Sequence, residues 1–276
     1  MKNIGIKLAA VAFLVCAGTP AFAGKGGSAA QLQSAIASRS TDAIIAEVER
    51  IESLACTPCV QMVTDLTADA RYPVREVAAW WFAKRPALAK QLATKFKLDL
   101  ASGTSIQVRN AADFLGASST FDALPALRAA IRRDVDADAK LAIVRAVDLL
   151  GNLGGNEVLT VAMTDRDASV RAAAVKAWRD IRGQVDAAPV VPLLADPDAL
   201  VRAEAATVVG GMKQTAAVGA LEGIVVNDPS PVVRRNAAWA LGKLGLSSSR
   251  DALARATLDT SGLVRMTAKA ALATIR

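Results

Sequence analysis

Asp228–Gly245 reads DPSPVVRRNAAWALGKLG, and this stretch decides the fold. Asp228, Pro229 and Ser230 carry turn and cap chemistry, and Pro231 fits a first helical turn, where its missing N–H is not needed. Val233, Ala237 and Leu241 then recur every four residues on one face, and Gly242 and Gly245 mark the far end. A turn followed by a helix is expected.

The phrase returns along the chain. The six-residue step from Asp228 to Arg234 recurs at Asp69/Arg75, Asp165/Arg171, Asp196/Arg202 and Asp259/Arg265, and as Asp134/Lys140. With Arg109 included, the basic markers at 75, 109, 140, 171, 202, 234 and 265 are separated by 34, 31, 31, 31, 32 and 31 residues. A period of this length is the signature of stacked helical repeats. Few aromatics and abundant alanine suit closely packed helices and disfavour a sheet. The expected architecture is an all-α solenoid of about eight helical pairs, with second helices near 73–85, 106–116, 138–151, 169–181, 199–211, 231–242 and 262–275. First helices are expected to include 87–98, 120–132, 184–194, 215–226 and 249–258. Residues 28–55 lack the marker and read as an N-terminal cap pair, its second helix capped by Thr41 or Asp42. Residues 28–276 then form one domain.

These residues resemble the HEAT family, specifically the short HEAT-like repeats also found in phycobilin lyase subunits. The resemblance implies a ladder in which Asp and Arg join neighbouring repeats. Its rungs would come from Asp69, Arg75, Asp134, Lys140, Asp165, Arg171, Asp196, Arg202, Asp228, Arg234, Asp259 and Arg265. The block of Arg109 departs from the pattern, with Gly103 at the acid position and Gly116 one residue early. The resemblance is specific for fold and weak for activity, because such repeats serve scaffolds, lyases and hydroxylases alike.

Residues 1–23 read as a secretory signal: Lys2 and Lys7 precede an apolar run from Leu8 to Cys16, and Ala21-Phe22-Ala23 fits the cleavage rule. Val15 is the wrong size for a lipobox, so anchoring through Cys16 is disfavoured, and residues 24–27 form a flexible start. Cleavage would remove two lysines and no acids from the formal charge of +7, leaving +5. So mild a surplus, in an exported chain with no further membrane span, argues against a nucleic-acid partner. A periplasmic location is expected.

The sequence contains no histidine. Ser-His-acid and Cys-His nucleophiles, histidine general bases and histidine-containing metal sites are therefore excluded, as are HEAT-type hydroxylases that hold iron through His-Glu pairs. No cofactor and no metal are expected. Cys56-Thr57-Pro58-Cys59 is the motif with reactive potential, placed at the start of a helix running from Pro58 to Leu66. A local disulfide fastening the cap pair to the next repeat is the first reading, and a redox-active dithiol the second. The lyase resemblance adds a tetrapyrrole-handling alternative, against which export argues.

In the second helices the position five after the marker lies opposite the core face and should look into the groove. This column is Trp80, Phe114, Arg145, Lys176, Thr207, Trp239 and Ala270, with Asp113 replacing Phe114 if the short block is closed up. Trp81 and Lys84 flank Trp80, Arg235 and Lys243 flank Trp239, and Trp178 falls at a core position. The resulting hypothesis is a non-catalytic scaffold whose groove grips an acidic, partly apolar segment of a protein partner through Trp80, Trp81, Arg145, Lys176, Arg235 and Trp239. Against it stands the reading that the indoles fill packing gaps and the cations are solvated.

Overall fold

The structure, a computed structural model, describes residues 27–275. The expected leader, Cys16 and the start at residues 24–26 lie outside the described residues.

Fifteen α-helices follow one another in antiparallel pairs, and no strand interrupts them among the described residues. The cap pair is α1 (Gly27–Ala37) and α2 (Thr41–Arg50), followed by α3 (Thr57–Leu66) and α4 (Tyr72–Ala83). Next come α5 (Pro86–Ser102) with α6 (Ser105–Ala117), α7 (Leu124–Ala130) with α8 (Ala137–Leu150), and α9 (Asn156–Ala162) with α10 (Ala168–Asp180). A 3₁₀ segment, Ala188–Ala195, pairs with α11 (Ala199–Gly211), α12 (Val218–Asn227) with α13 (Pro231–Leu244), and α14 (Arg250–Ala256) with α15 (Gly262–Thr274). The described residues form an all-α solenoid of eight such pairs.

Two local expectations need correction. The first helix expected over 184–194 is the 3₁₀ segment, because Pro189 sits at its start and Pro192 inside it, removing amide donors that an α-helix would use. The cap of α2 is Ser40, whose hydroxyl accepts from the Ala43 amide at 3.3 Å, and not Thr41 or Asp42.

The second helices carry the core. The residue before each marker (Val74, Val108, Ala139, Val170, Val201, Val233, Val264) is fully buried. So is the residue three after it (Ala78, Ala112, Ile143, Ala174, Ala205, Ala237, Ala268). Small side chains let neighbouring second helices approach closely: a Cβ on Gly210 would stand 2.5 Å from the Ala240 Cα, and one on Gly116 2.6 Å from the Ala146 Cα. Consecutive second helices therefore pack against one another more extensively than the first helices do. The second helices are the more closely packed layer, and their exposed side is the wall considered below.

Bulkier groups fill the space where the repeats are irregular. Phe82, Phe96 and Phe114 cluster with centroids 5.8 and 4.6 Å apart, joining α4, α5 and α6.

Candidate functional site

Each regular turn is built around one aspartate. The Asp196 Oδ1 accepts the Asp198 amide two residues on, and the same local bond is made by Asp165, Asp228 and Asp259. The arginine of the preceding repeat then closes on that carboxylate with two N–H groups, as in Arg171–Asp196, Arg202–Asp228 and Arg234–Asp259, at 2.7–3.0 Å. Its remaining nitrogen donates to the carbonyl of its own repeat's aspartate, Asp165, Asp196 or Asp228. A short side chain that can form the local turn explains why the position is Asp and not Glu.

Lys140 joins the series by bonding Asp165 at 2.6 Å. Burial opposes ionisation of Asp165 and Asp196, but their cationic partners and turn amides hold both carboxyls below the usual range. At Asp259 the bond from Arg234 is the dominant influence, in the same direction.

The N-terminal end departs from the expected ladder. Asp69 is bonded by Arg71 and not by an arginine from the cap pair, which has none at the marker position. Arg75 donates to the Asp69 and Ala70 carbonyls, but its charge turns to Asp113 in α6, because Gly103 leaves no acid in the turn ahead. Arg109 bonds the amide oxygen of Asn110, while Asp134 is almost fully exposed, with only Arg166 at 3.8 Å. Asp134 is therefore not a rung. Arg265 closes on the Asp259 and Thr260 carbonyls without an onward acid among the described residues.

The groove column is also redistributed. Trp80 is half-buried at the wall, with the Lys84 ammonium 5.4 Å from its ring centroid. Trp239 is exposed and has Lys243 placed the same way, at 5.5 Å. Its ring lies over the glycines ending α11, 3.3 Å from a Cβ built on Gly210. Trp81 is buried and does not line the groove. Its indole stacks under Arg85, which with the Trp81 N–H reaches the carbonyls just past α2, the Trp81 N–H to Ile51 and Arg85 to Ile51 and Glu52. Phe114 is core, and Asp113 takes the column position, as closing up the short block required.

Arg145 is not a free groove cation, since it bonds Asp113 at 2.9 Å and lies 4.1 Å from the Tyr72 ring centroid. Burial pushes the Asp113 carboxyl up despite its two arginines. Lys176 is exposed, and Arg235 is half-buried against Asn236. Trp178 is buried with its N–H on the Asp186 carbonyl at 2.7 Å.

Sequence reasoning missed the column two before the marker. Seven residues separate it from the column five after, so the two share a face to within 20°. In the last three repeats it holds Leu200, Val232 and Leu263, and Met266 follows on the same face of α15; each is more than half exposed. With Trp239 they make an apolar stripe beside Arg235 and Lys243. Around Trp80, by contrast, the wall is acidic, with Glu49, Glu52 and Glu76 lining one pocket. The expectation of an acidic ligand along the whole groove is thus at odds with the charge at its N-terminal end.

Cys56 and Cys59 face each other at the start of α3, with Cα atoms 5.2 Å apart and sulfurs at bonding distance. Cys59 is buried and Cys56 half-buried. No helix among the described residues is long and apolar enough to cross a membrane.

An open wall on a stack of helical pairs defines the class: an α-solenoid of HEAT type. Residues 187–273 match the HEAT repeats family model. The X-ray structure of the Escherichia coli protein YibA is similar over 91% of this chain and 92% of that one, at 14% identity and a TM-score of 0.55. Human deoxyhypusine hydroxylase in complex with glycerol aligns over 90% and 98% of the two chains, with 20% identity and a TM-score of 0.39. The complex of CpcE and CpcF of phycocyanin lyase from Nostoc aligns over 79% and 94%, with 19% identity and a TM-score of 0.41. No curated protein matches the sequence. The likeness to YibA is one of fold alone.

Proposed function

We propose that this chain is an exported, non-catalytic scaffold that holds a segment of another protein against its second-helix wall. The observation that carries the reading is the stripe of Leu200, Val232, Trp239, Leu263 and Met266 on one face, bordered by Arg235 and Lys243. Water-exposed apolar side chains on a regular wall, with an indole over close-packed backbone, form an anchor for a partly apolar, acidic segment. Export is supported by the leader-like residues 1–23 and by two cysteines placed to join as a disulfide, a bond that persists in an oxidising compartment.

The test is a pull-down from envelope extract with wild type and a Trp239→Ala/Arg235→Ala/Lys243→Ala variant. The expected result is a partner retained by wild type and lost by the variant. Equal recovery by both would reject the assignment. Thiol titration of the native protein addresses the disulfide: two fast-reacting cysteines would reject it in favour of the dithiol.

A further inference from the structure

The pocket beside Trp80 differs in chemistry from the other end of the wall. Ile45, Pro73, Val77 and Trp80 form its apolar sides, and it encloses about 440 Å³ between α2 and α4. Glu49, Glu52 and Glu76 bring three carboxylates to it. Lys84 reaches Glu52 at 3.5 Å, and Glu76 accepts from the neutral Tyr72 hydroxyl at 3.1 Å. Among the described residues neither Glu49 nor Glu76 has a salt-bridge partner, so the pocket keeps an excess of negative charge.

Lys84, beside the pocket, shows the contact that two of its lining residues make with a cation. Its ammonium stands against the indole while bridging to Glu52, with both of these charged side chains more than two-fifths exposed. A cation on an aromatic face is attracted by the ring, and more strongly once water is displaced. A long basic side chain would lay its methylenes on Ile45, Val77 and Trp80 and leave its head at Glu49 and Glu76.

We infer that the Trp80 pocket takes a lysine or arginine side chain from a polypeptide segment lying along the wall. The segment would be basic at the α2–α4 end and apolar to acidic at the Trp239 end, which gives it a direction. This rests on the scaffold reading, since it presumes a polypeptide occupant.

Indole ¹⁵N–¹H spectra of the full chain separate the two ideas, with Trp80 and Trp239 assigned through Trp80→Phe and Trp239→Phe. The probes are blocked pentapeptides alternating leucine with lysine, or leucine with glutamate. The lysine peptide should shift the Trp80 resonance saturably, and Glu49→Gln/Glu76→Gln should weaken that binding at least tenfold without changing the melt. The glutamate peptide should shift Trp239 and leave Trp80 in place.

If the lysine peptide is unaffected by the glutamine substitutions, or the glutamate peptide moves Trp80, the inference is overturned while the wall remains a peptide site. If neither peptide moves either indole, the scaffold reading falls and takes the inference with it.

Discussion

Arg75 donates to the Asp113 carboxylate at 2.7 Å across the α4–α6 interface, where the equivalent arginine of later repeats bonds an acid in the next turn. Both side chains are essentially shut off from water, and Arg145 completes the group from α8. Three successive repeats are thus tied at one acid inside the helix layer. Asp113→Asn would leave Arg75 buried without a counter-charge, and breaking such a pair costs about 3–5 kcal/mol. Urea denaturation should show that loss. Adding Arg75→Met should recover part of it, because the burden lies in the unpaired cation and not in the missing bond.

The ladder arginines of the later repeats, less buried than Arg75, should matter less, and unequally. Arg202 links two repeats through Asp228, whereas Arg265 only closes its own turn. Arg202→Ala removes two charge-assisted bonds and leaves Asp228 unpaired, for a loss of about 2–3 kcal/mol. Arg265→Ala should cost under ~1 kcal/mol, as exposed contacts do. Equal shifts in melting temperature would count against the ladder as the link between repeats.

That ladder was legible in the sequence because an acid and a cation at a constant step must serve a constant geometry. Where the step is interrupted, the prediction failed for a physical reason. Gly103 supplies no carboxylate, so Arg75 took the nearest acid the fold offered, and that acid lay in the groove column. Trp81 was misread because its neighbour Trp80 does face the wall. At 100° per residue the next position turns toward the core, where Arg85 stacks on it. The apolar stripe needed a second column to be read, which requires knowing which helix layer is open.

Acid should unfold the regular repeats through the ladder aspartates. Asp165, Asp196 and Asp259 have folded pKa values below their unfolded ones, so their contribution is present above the unfolded value of about 4. It is lost as pH falls through the lower folded values. A Lys140→Met/Arg171→Met/Arg234→Met variant should lose less stability between pH 5 and pH 2, roughly in proportion to the removed pairs. An unchanged acid slope in thermal melts would show that other groups govern it.

Asp148 should behave with the opposite sign. Burial and the nearby Asp180 push its carboxyl up, against the pull of Lys176 and Arg179. A raised folded value means that stability is greatest with the group protonated and declines as pH rises through that value. Asp148→Asn should therefore raise the melting temperature at pH 7, where the native carboxyl carries its buried charge. The gain should vanish near pH 3, and a gain independent of pH would point to packing instead.

Two glycine-to-alanine substitutions separate helix propensity from helix spacing. Gly223 in α12 has nothing within 4 Å of the place a Cβ would occupy, so alanine there should only limit the unfolded chain and improve the helix. A stabilisation of roughly 0.4–1 kcal/mol is expected. The same change at Gly210 adds a methyl 2.5 Å from both the Cα and the Cβ of Ala240, in backbone contact that no rotamer can relieve. Forcing α11 and α13 apart should outweigh the propensity gain and cost about 1–3 kcal/mol. It should also displace Trp239, whose ring rests on that glycine, so the fluorescence of the native state should change for Gly210→Ala and not for Gly223→Ala. If both substitutions stabilise, the close approach of the second helices does not set the spacing of this solenoid.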